Sequence, residues 1–128
     1  MSNWTHVAAI ARIDDLRSLN QGEPDFDKIF GRELRWGDDG TIWDEADEHP
    51  ERFLPLGSEG SLQKSVWINS DRDSMDAYTV SIFGDLRNHD DPDEIIEWFK
   101  DKCKNLWIRN AAIVVQNEWN GTREWHSI

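Results

Sequence analysis

The segment that begins at Asp91 carries the strongest helix signature in the chain, and strand-like apolar segments lie on both sides of it. Asp91 is a suitable N-cap, Pro92 suits the first helical position, and Glu94 completes an arrangement typical of a capping box. An apolar stripe with helical spacing continues through Ile95 and Phe99. A helix with one apolar face must cover another layer, so the sequence predicts a helix packed on a sheet.

The other periodic segments predict the rest of that sheet and one more helix. Residues 7–13 are apolar at both alternating sets of positions, which predicts a strand covered on two faces. Residues 26–34 place apolar side chains at helical spacing. Further strands are predicted at residues 62–69, 77–83 and 111–115, and Asn120-Gly121 predicts a two-residue hairpin turn before a terminal strand.

The order of these elements predicts an α+β fold. It suits an antiparallel sheet backed by two helices, in a ferredoxin-like βαββαβ arrangement with an extra C-terminal β segment. A length of 128 residues fits one domain spanning residues 1–128. Residues 36–60 lose the periodicity and contain several prolines and glycines, so we expect an irregular acidic insertion there.

The charge balance excludes several classes of partner. The chain has 14 Lys and Arg against 26 Asp and Glu, a net charge of −12. Phosphate backbones and anionic lipid surfaces are bound mainly by cationic side chains, so we expect neither direct nucleic-acid binding nor membrane binding. No apolar run is long enough for a membrane helix, no secretory signal is recognisable, and the single Cys103 excludes an internal disulfide. The expected location is the cytoplasm.

No residue pattern indicates catalysis or a cofactor. The four histidines form no pair with metal-ligand spacing, and the serines lack a nucleophile motif. Cys103 lies on the apolar stripe of the helix, where a buried and inert thiol is expected. We therefore expect a protein that is not an enzyme and that holds neither cofactor nor metal.

Acidic residues and tryptophans are the features that point to a function. Residues 38–51 hold seven acids and no Lys or Arg, and the chain has eight tryptophans, a residue type that often anchors interfaces. The leading hypothesis is a protein-binding module that docks an acidic, Trp-bearing surface on a basic partner. A loop that only keeps the protein soluble is the competing interpretation. The candidate partner-binding residues are Trp36, Asp38, Asp39, Trp43, Asp44, Glu45, Asp47 and Glu48.

A small-ligand-binding protein is the alternative hypothesis. Indole side chains can stack on a planar ligand such as a nucleotide, and arginines near strand ends can hold its charge. Such a pocket could lie on the sheet face or at a subunit boundary, and a homodimer is compatible with it. The candidate residues are Trp67, Arg87, Arg109 and Trp119.

Three strings in the chain carry a family resemblance: NWTHVAAI at residues 3–10, GSEGSL at residues 57–62 and YTVSIFGDLR at residues 78–87. Together with residues 93–102, they resemble segments of small, uncharacterised acidic proteins of bacteriophages and prophages. The resemblance implies a context in which such proteins bind a host protein, including components of host defence, and in which acidic examples occupy the nucleic-acid groove of a basic partner. It implies no site residues.

Overall fold

A computed structural model describes residues 2–16, 25–35, 37–58, 61–69, 75–89, 91–104, 106 and 108–127. Within these residues the chain forms five strands, three α-helices and one short 3-10 turn. In chain order they are β1 (Trp4–Leu16), α1 (Phe26–Phe30), α2 (Gly40–Glu48), the 3-10 turn (Pro50–Arg52), β2 (Gln63–Asn69), β3 (Met75–Arg87), α3 (Pro92–Cys103), β4 (Ile108–Asn117) and β5 (Gly121–His126).

The five strands form one antiparallel sheet in the order β2-β3-β1-β4-β5. The predicted α+β class and antiparallel sheet are therefore confirmed. The ferredoxin-like βαββαβ topology is not matched as such, because among the described residues the sheet has five strands in this order and three α-helices accompany it.

One face of the sheet carries the core. Alternate residues of β1 are buried, and α3 lies over β4 and β5 with its Ile95 and Phe99 fully enclosed. The ring of Phe99 meets Trp125 of β5 edge-on, with 6.0 Å between the ring centroids. Burying a side chain of this size stabilises the fold by about 1.5–3 kcal/mol, so the apolar stripe of α3 fixes the helix on the sheet.

The other face of the sheet is exposed, so the prediction that residues 7–13 are covered on two faces is wrong for the single chain. Val7 and Ala11 are buried, but the alternating Ala8 is exposed and Ile10 is 50% exposed. Among the described residues no helix packs on this side. We call it the open face.

The first helix is shorter than predicted. α1 ends at Phe30, and Gly31 follows with a φ of 119°, a conformation that disfavours side chains with a Cβ. A Cβ at Gly31 would also lie 2.5 Å from the carbonyl carbon of Phe53. The apolar position Leu34 lies beyond the helix and packs instead in a second hydrophobic cluster with Ala46 and Phe53.

The acidic insertion is more regular than predicted. It contains the nine-residue helix α2 and the 3-10 turn, both attached to the second hydrophobic cluster. Sequence periodicity missed α2 because only Ile42, Trp43 and Ala46 supply its apolar side, one of them fully buried. The helix depends on this small cluster and on its N-cap rather than on a long apolar stripe.

The terminal hairpin has a three-residue loop where two residues were predicted. The β4–β5 ladder ends at the pair Asn117 and Gly121, and Gly121 adopts a φ of 84°. The side-chain oxygen of Asn117 accepts hydrogen bonds from the N–H groups of Trp119 and Asn120 at 3.0 and 2.8 Å. This loop belongs to the class in which a left-handed glycine follows a turn. No helix in the described part of the chain is long and apolar enough to cross a membrane.

Candidate functional site

Two of the acids predicted to bind a partner shape the start of α2. Asp38 accepts a hydrogen bond from the backbone N–H of Arg35 at 2.6 Å. Asp39 is the N-cap of α2, where its Oδ1 accepts from the N–H groups of Thr41 and Ile42 at 2.9 and 3.3 Å. The Thr41 hydroxyl also bonds this carboxylate and, together with the two N–H donors, lowers the pKa of Asp39 below its ordinary value. These acids therefore have structural roles.

Two more acids of residues 38–51 are engaged in ion pairs. Glu45 lies 3.3 Å from the guanidinium of Arg52 and 3.9 Å from that of Arg32. Glu51 lies 3.4 Å from the ring of His49. Exposed pairs of this kind contribute little to stability, but the two arginines offset part of the charge of Glu45.

Asp44, Asp47 and Glu48 are the acids of α2 without such a role. All three are exposed, and none forms an ion pair with another described residue. Their spacing of three and four residues places them on one side of the helix. Asp47 and Glu48 also lie at the C-terminal end of α2, where the helix dipole is negative and disfavours carboxylates. An external cation would therefore stabilise this end of the helix.

Trp43, one of the two predicted anchors in the insertion, is not fully exposed to solvent. Trp43 is half-buried and packs with Ile42 and Leu56 around the second hydrophobic cluster. It therefore fastens α2 to the domain and is a weak candidate for an exposed anchor. Trp36, the other predicted anchor, lies outside the described residues.

The four residues predicted for a small ligand lie apart. Trp67 is 60% exposed on edge strand β2, and Arg109 lies at the start of β4, three strands away in the sheet order. Arg109 lines a shallow concavity of about 470 Å³ on the open face together with Arg12. Arg87 and Trp119 belong to the opposite end of the sheet, where Arg87 pairs with the start of β1 and Trp119 lies in the terminal hairpin loop. The structure does not bring these four together.

A cleft that the sequence did not predict lies between α3 and the segment that follows α2. Its volume is about 370 Å³, within the range of ligand pockets, and half-buried Trp98 lines it. Apolar side chains of residues 53–56 and Ile95 complete the apolar part of its lining. We call it the Trp98 cleft.

The other residues that line the Trp98 cleft are mainly acidic. Glu51, Glu94 and Asp101 line it, together with Lys102 and His89. Glu94 and Asp101 are exposed and form no ion pair with another described residue. Glu51 lies only three residues after the end of α2. The free acids at that end, Asp47 and Glu48, are therefore close in the chain to the acidic lining of the cleft.

One feature of the sequence points to this cleft. Trp98 lies off the centre of the apolar stripe of α3, which indicates an exposed or half-exposed position. Its partners at residues 50–56 come from the insertion, and periodicity cannot place an insertion against a helix 40 residues later in the chain. The tertiary contact had to come from the structure.

Cys103 is the only cysteine of the chain. Burial raises the pKa of the Cys103 thiol to about 11, which keeps it protonated and unreactive near neutral pH. In the described part of the chain, no three His, Cys, Asp or Glu side chains gather in a way that could hold a metal ion. The Trp98 cleft offers a bound group an aromatic face, apolar walls and carboxylates.

Comparison with known proteins adds no assignment: no family model, curated protein or solved structure matches this chain.

Proposed function

We propose that the protein is a non-enzymatic binding module that docks its acidic helical side on a basic segment of a partner protein. The observation that carries the proposal is the Trp98 cleft, whose lining combines an indole and apolar side chains with Glu94 and Asp101, two carboxylates that form no ion pair with another described residue. A lysine or arginine side chain fits both features. Its aliphatic stem can pack on apolar walls while its charged end remains near the carboxylates.

Trp98 suits a cationic group for a second reason. Tryptophan has the most favourable ring face for a cation, and such contacts are worth about 0.5–1 kcal/mol at exposed sites and more when water is excluded. Arginine also stacks on aromatic faces with its planar guanidinium. The free carboxylates of Glu94 and Asp101 would then accept hydrogen bonds from the same group.

The end of α2 extends this surface. Asp47 and Glu48 would each gain from a cation close to the negative end of the helix dipole. Glu51 lines the cleft and lies close in the chain to the end of α2. A partner segment with several basic residues could therefore contact the cleft and the end of α2 together. Electrostatic attraction would speed association and restrict the choice of partner, and the tryptophan would supply affinity.

The kind of partner, the location in the cell and the fold relationship belong to the same proposal. The resemblance to phage proteins would make the partner a host protein, with inhibition of a host defence component as one role. The single Cys103 supports a cytoplasmic location. A ferredoxin-like relationship of the sheet is supported by the position of β1 between β3 and β4.

A peptide titration tests the proposed site. The probe is a capped peptide of alternating arginine and glycine, with a glutamine–glycine peptide as its control, measured by isothermal titration calorimetry at low and high salt. We expect the arginine peptide to bind, the glutamine peptide to fail, and added salt to weaken binding.

Matched variants locate the binding. Glu94→Gln and Glu97→Gln remove the same charge from exposed positions of α3, but only Glu94 lines the Trp98 cleft. We expect Glu94→Gln to raise the Kd about two- to fivefold and Glu97→Gln to leave it unchanged. Trp98→Leu should weaken binding further, while Trp119→Leu should not. Equal effects of the two Glu variants, or no binding of the arginine peptide, would contradict the proposal.

A further inference from the structure

The open face of the sheet carries large apolar side chains at its centre. Ile10 is 50% exposed, Phe83 41% and Val114 43%, and they belong to three adjacent strands. The register places Phe83 and Val114 on either side of Ala8, so these side chains form one continuous patch. A contiguous apolar patch of this kind on a chain with a net charge of −12 marks an interaction surface.

Two neighbouring rows across the sheet define this patch. In each row the residues lie side by side on β3, β1, β4 and β5. Row A consists of Phe83, Ala8, Val114 and Glu124, and row B consists of Ser81, Ile10, Ala112 and His126.

The geometry points to a second copy of this chain as the occupant of the open face. In this arrangement the open faces of two sheets lie against each other, related by a two-fold axis in the plane between them. The axis runs perpendicular to the strands and lies midway between rows A and B. It places row A of one protomer over row B of the other, strand by strand. Closed dimers with one self-complementary patch are the commonest protein oligomers.

The two rows complement each other in size. Phe83 would meet the partner's Ser81, and Val114 would meet the partner's Ala112. Ile10 would meet the partner's Ala8. Each large side chain thus faces a small one, the alternation by which packed layers interdigitate.

Polar side chains continue the same pairing. At the β5 edge, exposed Glu124 would lie opposite the partner's His126. One row further out, His6 would face the partner's Arg12, and Asp85 on the next strand would face the partner's Thr79. Within one protomer Asp85 pairs with His6 at 2.6 Å, and Asp14 lies 3.3 Å from Arg12 and 3.9 Å from Arg109. These two acids of the open face thus have partners within the protomer, whereas the helical side holds acids that pair with no other described residue and would repel a second copy.

The area of the face approaches what a dimer needs. The five strands lie about 4.8 Å apart, and the eight residues 5–12 of β1 that pair with β4 without a break rise about 3.3 Å each. These spacings describe a rectangle of roughly 600 Å², before the relief of the side chains is added. A stable interface buries about 800 Å² per partner, so the whole open face would be used.

The sequence pattern of β1 agrees with this arrangement. Residues 7–13 are apolar at both alternating sets of positions, which is typical of a strand covered on two faces. One chain covers only the face with Val7 and Ala11. A second copy would cover the other face. The Trp98 cleft lies with α3 on the opposite side of the sheet, so the dimer neither requires nor blocks the proposed binding site.

Analytical ultracentrifugation over a range of concentrations tests the dimer. The full chain should sediment with twice its mass of 15.0 kDa and dissociate on dilution. Ala8→Asp and Ile10→Lys should each yield a folded monomer, with circular dichroism as the check on folding. Ile68→Lys, at an apolar position that is 43% exposed on the other face of β2, is the control and should remain dimeric.

A mixing experiment tests the register. When Ala8→Asp and Ile10→Lys chains are combined in equal amounts, each heterodimer has one Asp–Lys contact and one native contact, so we expect the mixture to recover the dimer mass. A wild-type chain that stays monomeric at all concentrations would overturn the inference. So would a dimer that survives both single variants, or a mixture of the two that stays monomeric. Because the peptide titration does not depend on these positions, its outcome is independent of this one.

Discussion

The side-chain amide of Asn117 donates a 2.8 Å hydrogen bond to the hydroxyl of Thr5, and both side chains are buried. The Thr5 hydroxyl donates in turn to the carbonyl of His89, and Asn117 also bonds the terminal loop. One buried pair therefore connects β1, the approach to α3, and the β4–β5 hairpin.

Removal of either partner should destabilise the fold. We expect Asn117→Ala to lower the free energy of unfolding by roughly 1–3 kcal/mol, because it removes the buried hydrogen bond to Thr5 and those from the N–H groups of Trp119 and Asn120. Thr5→Val keeps the shape but removes the hydroxyl. In a double-mutant cycle followed by urea denaturation, the two changes should be non-additive by about 0.5–3 kcal/mol. Strict additivity would show that the pair is not coupled.

Substitution of Gly31 should disrupt the junction between α1 and residues 53–54. Gly31→Ala combines a positive φ with a Cβ that would meet the backbone of Phe53, so we expect a loss of about 2 kcal/mol or more in unfolding free energy. Gly37→Ala is the matched control, since a Cβ there would have open space around it. Thermal denaturation of both variants measures the difference, and equal melting temperatures would contradict the expectation.

The N-cap of α3 should contribute measurably to stability. The Oδ1 of Asp91 accepts from the N–H groups of Asp93 and Glu94 at 3.0 and 3.3 Å. Asp91→Ala should reduce the unfolding free energy by about 1 kcal/mol, whereas Asp91→Ser, which retains a capping oxygen, should cost little. Guanidinium denaturation of both variants distinguishes a capping role from a general loss of charge, since both remove the same carboxylate.

Ionisation of Cys103 should lower the stability of the fold at alkaline pH. Its pKa in the folded protein is raised to about 11 from an ordinary value of 9.0, because burial disfavours the thiolate. The stabilisation linked to the neutral thiol is therefore complete below pH 9.0 and is lost as pH rises through about 11. The wild type should lose more stability over this range than Cys103→Ala does. Iodoacetamide should modify the native protein far more slowly than the unfolded one, and equal rates would show that the thiol is accessible.

The helices and strands that can be predicted from the sequence are those with strong local signals. The cap and stripe of α3 were recognised because Asp91, Pro92 and Phe99 act within one helix. The alternation of apolar and polar residues that predicts the later strands is equally local, although β3 continues past the predicted residues 77–83 to Arg87. The class of the fold follows from such segments, whereas α2 depends on a distant cluster that supplies its partners.

The candidate site was less predictable for the same reason. Charge and tryptophan content indicated a surface, but they could not reveal that Asp39 is a cap or that Trp43 is an anchor within the domain. Nor could they bring residues 50–56 against Trp98. The alternation in residues 7–13 identified β1 correctly, yet the same pattern cannot distinguish a face covered by the chain itself from one open to solvent.

The outer edge of the sheet at β2 is partly blocked by a side chain from residue 33. The backbone N–H of Lys64, which points away from β3, donates to the carboxylate of Glu33 at 2.6 Å, and the Lys64 ammonium bonds the carbonyl of Gly31 at 2.9 Å. An incoming strand would have to displace Glu33 before it could bond to the edge here. Sideways growth of the sheet into a fibre is thereby discouraged at the β2 edge, so a chain that associates with itself is directed away from this edge.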